Sequence, residues 1–68
     1  MREMIQVKST TIHSIGYESF TLYVRFLSGK TYAYHGVSES RYKAMLAAQS
    51  KGRYLHTFIQ PYFKGVPV

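Results

Sequence analysis

Sixty-eight residues, with nine Lys/Arg against three Glu and a formal charge of +6, leave room for one domain with a small core. The absence of cysteine excludes disulfide staples and thiolate metal sites, and a reducing cytoplasm is the expected setting. No apolar run reaches the roughly 20 residues of a membrane span. No signal peptide is read at Met1–Ile5, and the charge points to a polyanion as partner.

Met4–Ser9 is expected to be a short strand or arm, and Ile12–Tyr17 a second strand. Glu18-Ser19 then turns the chain into Phe20. From Phe20 to Leu27, Phe20, Leu22, Val24 and Phe26 alternate with Thr21, Tyr23, Arg25 and Leu27. Ser28-Gly29 follows, then Lys30–His35 in the same period of two, which predicts a hairpin. With Ser28-Gly29 as a two-residue turn, Leu27 faces Lys30, Arg25 faces Tyr32 and Tyr23 faces Tyr34. One sheet face is then aliphatic and phenyl. The other carries Tyr23, Arg25, Tyr32 and Tyr34.

The pattern changes at Gly36. Ser38 is a suitable N-cap, and Glu39 suits the positive end of a helix. Tyr42, Met45, Leu46 and Gln49 then recur at i, i+3, i+4 and i+7. Gly52 is expected to stop this helix. Leu55, Phe58, Ile59 and Tyr62 repeat the spacing in a second helix, which Pro61 ends or kinks. The expected fold is therefore α+β: an antiparallel meander of three or four strands, with two short helices on the Phe20/Leu22/Val24/Phe26 face. Residues 1–68 form one domain in which 1–4 and 64–68 are irregular. The tyrosine face is left open.

Two features of this arrangement carry chemistry. Tyr23, Tyr32 and Tyr34 offer rings on which bases stack, and Arg25 and Lys30 lie beside them for phosphate. Ser50-Lys51-Gly52-Arg53, between the helices, places Lys51 and Arg53 where an anion can approach a glycine backbone. Against these, His13, His35 and His56 share no metal-ligand spacing, the glutamates are scattered and aspartate is absent. No cofactor, metal or catalytic set is expected. Helix two is too apolar for a major-groove reader.

As a set, Ile5-x-Val7-x-Ser9, Ile12, Ile15-Gly16-Tyr17, Leu22-x-Val24-x-Phe26, Gly29 and Tyr32-x-Tyr34 resemble the KTSC domain. So do Val37, Tyr42, Leu46, Ala48-x-Ser50-x-Gly52-x-Tyr54, Ile59 and Tyr62. The resemblance covers nearly the whole chain. It departs at Leu55-His56, where the family often has Phe-Asn, and at Gln60, where it commonly has Arg or Lys. The family occurs at the C-terminus of some lysyl-tRNA synthetases and as small bacterial and phage proteins. The resemblance implies an RNA-binding role and brings no catalytic residues with it.

The expected function is thus a non-enzymatic RNA-binding module. Tyr23, Tyr32 and Tyr34 stack bases, while Arg25, Lys30, Lys51 and Arg53 hold phosphates. Two other readings compete. One is a protein-interaction module using the same face on an acidic partner. The other is a metal-independent endoribonuclease drawing on His13, His35, His56 and Lys30. A core this small is also compatible with a homodimer. On the RNA reading, Tyr34→Ala is expected to weaken binding and leave folding intact.

Overall fold

The computed structural model describes residues 3–68. Five strands form one antiparallel sheet in chain order: β1 (Met4–Gln6), β2 (Ile12–Glu18), β3 (Thr21–Phe26), β4 (Thr31–His35) and β5 (Gly65–Pro67). Between β4 and β5 come α1 (Glu39–Ala47) and α2 (Lys51–Tyr54), the latter running on into a π-helical turn, Leu55–Ile59. The α+β class and the helices on one sheet face agree with expectation, but the sheet has five strands where three or four were predicted. The fifth comes from the tail expected to be irregular. Gly65–Pro67 lies along Tyr32–Tyr34. Met4, also expected to be irregular, opens β1, and residues 1 and 2 lie outside the described residues.

The β3–β4 hairpin is one residue out of the predicted register. Its loop is Leu27-Ser28-Gly29, three residues long. The Phe26 amide donates to Lys30 O at 2.8 Å, and the Gly29 amide donates to Phe26 O at 2.9 Å. Gly29 has φ 97°, the left-handed backbone that such loops require at their last position. In consequence Leu22 faces Tyr34, Tyr23 faces Ala33 and Val24 faces Tyr32. A slip of one residue moves a whole strand's side chains to the other face. Tyr32 and Tyr34 therefore point beneath the helices, and only Tyr23 and Arg25 stay on the open side.

Two further local irregularities shape the core. Between Ile12 and Ser14 the β2 register shifts, with His13 as the extra residue, so both Ile12 and Ile15 turn inward. At the β2–β3 turn, Ser19 and Phe20 both adopt positive φ, 52° and 58°. Phe20 is thus a turn residue, and its ring is exposed instead of lying in the core as predicted. Its carbonyl accepts the Gly36 and Val37 amides at 2.8 and 2.9 Å, which anchors the passage from β4 into α1.

Ser38 caps α1 as expected, its Oγ accepting the Arg41 amide at 3.3 Å. The helix ends at Ala47, before Gly52, which sits inside α2. Met45 from α1 and Leu55 and Ile59 from the second helix close over Ile12, Ile15, Leu22, Val24, Tyr34 and Val37. Tyr17 stacks on Tyr42 at 5.0 Å between centroids, and its hydroxyl donates to Val37 O at 2.6 Å.

Tyr34 is only 4% exposed. Tyr34→Ala is therefore expected to cost about 3 kcal/mol or more, as buried aromatic truncations do. That is most of the stability of so small a domain. Urea unfolding measures it, and a variant as stable as the parent would contradict the burial. Burial pushes the Tyr17 and Tyr42 phenols above the ordinary 10.0, and nearby Glu39 and Glu3, respectively, add to the effect. Their contribution to stability is complete below the unfolded phenol's pKa and disappears as pH rises through the folded values. Tyrosinate absorbance is expected to show phenols ionising later than free tyrosine, with stability falling over the same range. Uniform titration at the ordinary value would contradict this.

Candidate nucleic-acid interface

The open sheet face does not hold the expected platform. Tyr34 belongs to the core, and its hydroxyl accepts from Gln60 Nε2 at 3.5 Å. Tyr32 is half-buried and sets its ring edge-on to Phe26 at 5.8 Å. Tyr23 shares the outer face with Arg25, but its cross-strand neighbours are Gly16 and Ala33, not a second tyrosine. Among the described residues no row of three stacking rings exists there. The physical reason is the three-residue loop.

The cations fare differently. The sheet has two ends. At one lie the β1–β2 loop, the β3–β4 loop and the junction between the helices; the Leu27 amide donates to Thr11 O at 2.9 Å and ties the first two together. At this end Lys8, Lys51 and Arg53 line one open cleft of about 420 Å³, together with Ser9, Thr10 and Thr11. Lys30 stands in the neighbouring β3–β4 loop, in a separate depression beside Tyr32 and Val68. Arg25 lies on the outer face, across from Ser14 and Thr31. Of the four predicted phosphate contacts, Lys51 and Arg53 come together, Lys30 is adjacent and Arg25 is apart. Lys8 was missed, because Met4–Ser9 gave no signal for where its loop would fold.

The three glutamates lie at the other end. Glu3 precedes β1, Glu18 closes β2 and Glu39 opens α1. Glu39 also reaches Lys43 at 3.9 Å, an exposed pair of little energetic weight. The fold thus keeps the carboxylates away from the cleft, whereas Arg41, Lys43 and Lys64 share the glutamate end.

Local chemistry builds the cleft walls. Ser9 Oγ accepts the Thr11 and Ile12 amides at 3.2 and 3.1 Å, which folds the β1–β2 loop back on itself. Ser50 Oγ accepts the Arg53 amide at 3.2 Å and caps α2. Lys51 Nζ donates to Ala48 O at 2.7 Å, so its ammonium also terminates α1 and keeps donors for a ligand. Gly52 is the contact between the walls, since a Cβ there would lie 2.8 Å from Thr11 Oγ1.

The histidines are dispersed. His13 Nδ1 meets Ser14 Oγ at 3.1 Å, His35 Nδ1 meets Thr21 Oγ1 at 3.2 Å and His56 Nδ1 meets Gln60 Oε1 at 3.3 Å. Among the described residues no three His, Asp or Glu side chains gather as a metal site would require. No helix among them is long and apolar enough to cross a membrane.

Comparison with known proteins agrees with this geometry at the level of fold. The family model described as the KTSC domain matches residues 8–63. A protein of Tsukamurella paurometabola is 35% identical over 65 residues, spanning 93% of this chain and 97% of its own length. The crystal structure of a KTSC domain protein from Yersinia pestis superposes with a TM-score of 0.95 at 31% identity, covering 100% of this chain and 99% of that one.

Gly52→Ala gains about 1 kcal/mol of helix propensity, but it sets Cβ against Thr11. The single substitution is expected to destabilise by about 1–2 kcal/mol, an overpacking cost. Thr11→Ala with Gly52→Ala is expected to recover at least the parent stability. Chemical denaturation of the four proteins in this cycle decides it, and a Gly52→Ala variant more stable than the parent would contradict the close approach.

Proposed function

The chain belongs to the KTSC domain family, and from that premise we propose a non-enzymatic RNA-binding module whose phosphate-contacting surface is the loop end at Lys8, Lys30, Lys51 and Arg53. One observation carries the reading. Three segments distant in sequence, the β1–β2 loop, the β3–β4 loop and the start of α2, bring their cations to the same end of the sheet, and the glutamates occupy the other end. Four cations with no carboxylate among them draw an approaching polyanion to that end, while at the other end Arg41, Lys43 and Lys64 accompany the glutamates.

The cleft also carries neutral hydrogen-bonding groups, Thr10 and Gln49, beside its cations. That mixture suits a sugar–phosphate backbone bearing 2′-hydroxyls. Binding without catalysis is favoured because the three histidines stand on different elements, each with its own partner. Tyr32 and Tyr34, central to the family's pattern, act here through the core that fixes the loops.

The test is the salt dependence of affinity for a labelled single-stranded RNA. Four neutralised phosphates give a slope of log affinity against log salt of about −3. Lys8 and Arg53 are exposed, so their removal should leave the fold intact. Lys8→Ala with Arg53→Ala is expected to bring the slope to about −1.5, whereas Lys43→Ala leaves it unchanged. An unaltered slope in the double variant would refute this site. Retention of an acidic protein with no RNA affinity would favour the protein-interaction reading.

A further inference from the structure

Next to the cationic cleft lies a second groove of about 560 Å³, and the two share Gln49, Ser50 and Arg53. Its far wall is aromatic. Tyr54 and Phe58 stand one turn apart with ring centroids 4.9 Å from each other, tilted by 39°. Phe58 is 47% exposed.

That exposure has a local cause. An unbroken α-helix would place Phe58 on the same stripe as Leu55 and Ile59. Instead the Gln60 amide donates to Leu55 O at 2.9 Å, a bond spanning five residues, and the wider turn swings Phe58 off the core while Leu55 and Ile59 stay buried. Single π-helical turns inside helices are frequent at functional sites. Here the turn delivers a ring to the rim of a groove whose other end is cationic.

We infer that this groove receives the base of a nucleotide whose phosphate lies in the adjoining cleft, so that the ligand is single-stranded RNA. The inference rests on the phosphate reading above. Three observations favour a base as occupant. The groove is more apolar than the cleft, as a π-face requires. The two are continuous through Arg53, whose planar guanidinium can hold phosphate oxygens on one side and stack on a ring on the other. And the ligand that fits both must carry a flat, apolar-faced group one bond system away from an anion, which describes a nucleotide. A duplex keeps its bases stacked and paired inside the helix and cannot present one to Phe58. An unpaired strand can.

The experiment compares two labelled RNA oligomers of equal length and equal phosphate count, one with bases and one abasic. Each is titrated with the parent protein and with Phe58→Ala, whose folding is checked by circular dichroism. The parent is expected to bind the base-bearing strand about tenfold more tightly than the abasic strand, the effect of one stacked base. Phe58→Ala is expected to bind both with the abasic affinity. A duplex of the same sequence is expected to bind the parent and Phe58→Ala equally, because its bases are not presented to Phe58. Equal binding of the two strands by the parent, or a gap that survives Phe58→Ala, overturns the base subsite and leaves the phosphate reading standing. If neither strand binds, the phosphate reading fails, and the base subsite with it.

Discussion

Gly29, at φ 97°, closes a three-residue loop in which Phe26 and Lys30 face each other. Nearly everything else in the molecule follows from that loop. It aligns Val24 with Tyr32 and Leu22 with Tyr34, and so commits two tyrosines to the helix side of the sheet. There Tyr34 joins the core under the second helix, while β5 runs along the same strand and closes the sheet. A phenol suits this position. Its ring supplies apolar area, and its hydroxyl reaches Gln60 at the periphery. A domain this small has few such rings to spend, so the ones placed inside cannot also serve as a binding platform.

Much of the fold was legible in the chain. The strand at β2, the period-two runs over β3 and β4 and the Ser38 cap on α1 are where the residues say they are. What escaped was decided by single residues with ambiguous chemistry. Ser28-Gly29 is as good a two-residue turn as it is the end of a three-residue loop, and alternation cannot separate the two when tyrosine suits either face. Gly-Val-Pro carries no period at all, so β5 was invisible until β4 offered it an edge. The His13 bulge hides because Ile12 and Ile15, three apart, fit neither a strand nor a helix cleanly.

The candidate site divides in the same way. Lys51 and Arg53 flank a glycine in the first turn of α2, and their meeting was legible. Lys8 was not, since only the folded β1–β2 loop brings it to them. Phe58 was assigned to the buried stripe because its spacing from Leu55 is ordinary for an α-helix. The π-helical turn that exposes it leaves no mark in the sequence. The surface that results is a loop end, built where three chain segments converge, and the regular sheet supports it from behind.

The most direct measurement of the central claim is the pattern of cross-strand Hα–Hα contacts in an NMR spectrum of the hairpin. The Phe26–Lys30 hydrogen bond makes Tyr23–Ala33 and Arg25–Thr31 the closely spaced pairs, and cross-peaks are expected between those residues. Cross-peaks joining Val24 to Ala33 and Phe26 to Thr31 instead would mean a two-residue turn. They would return Tyr32 and Tyr34 to the open face and contradict the account.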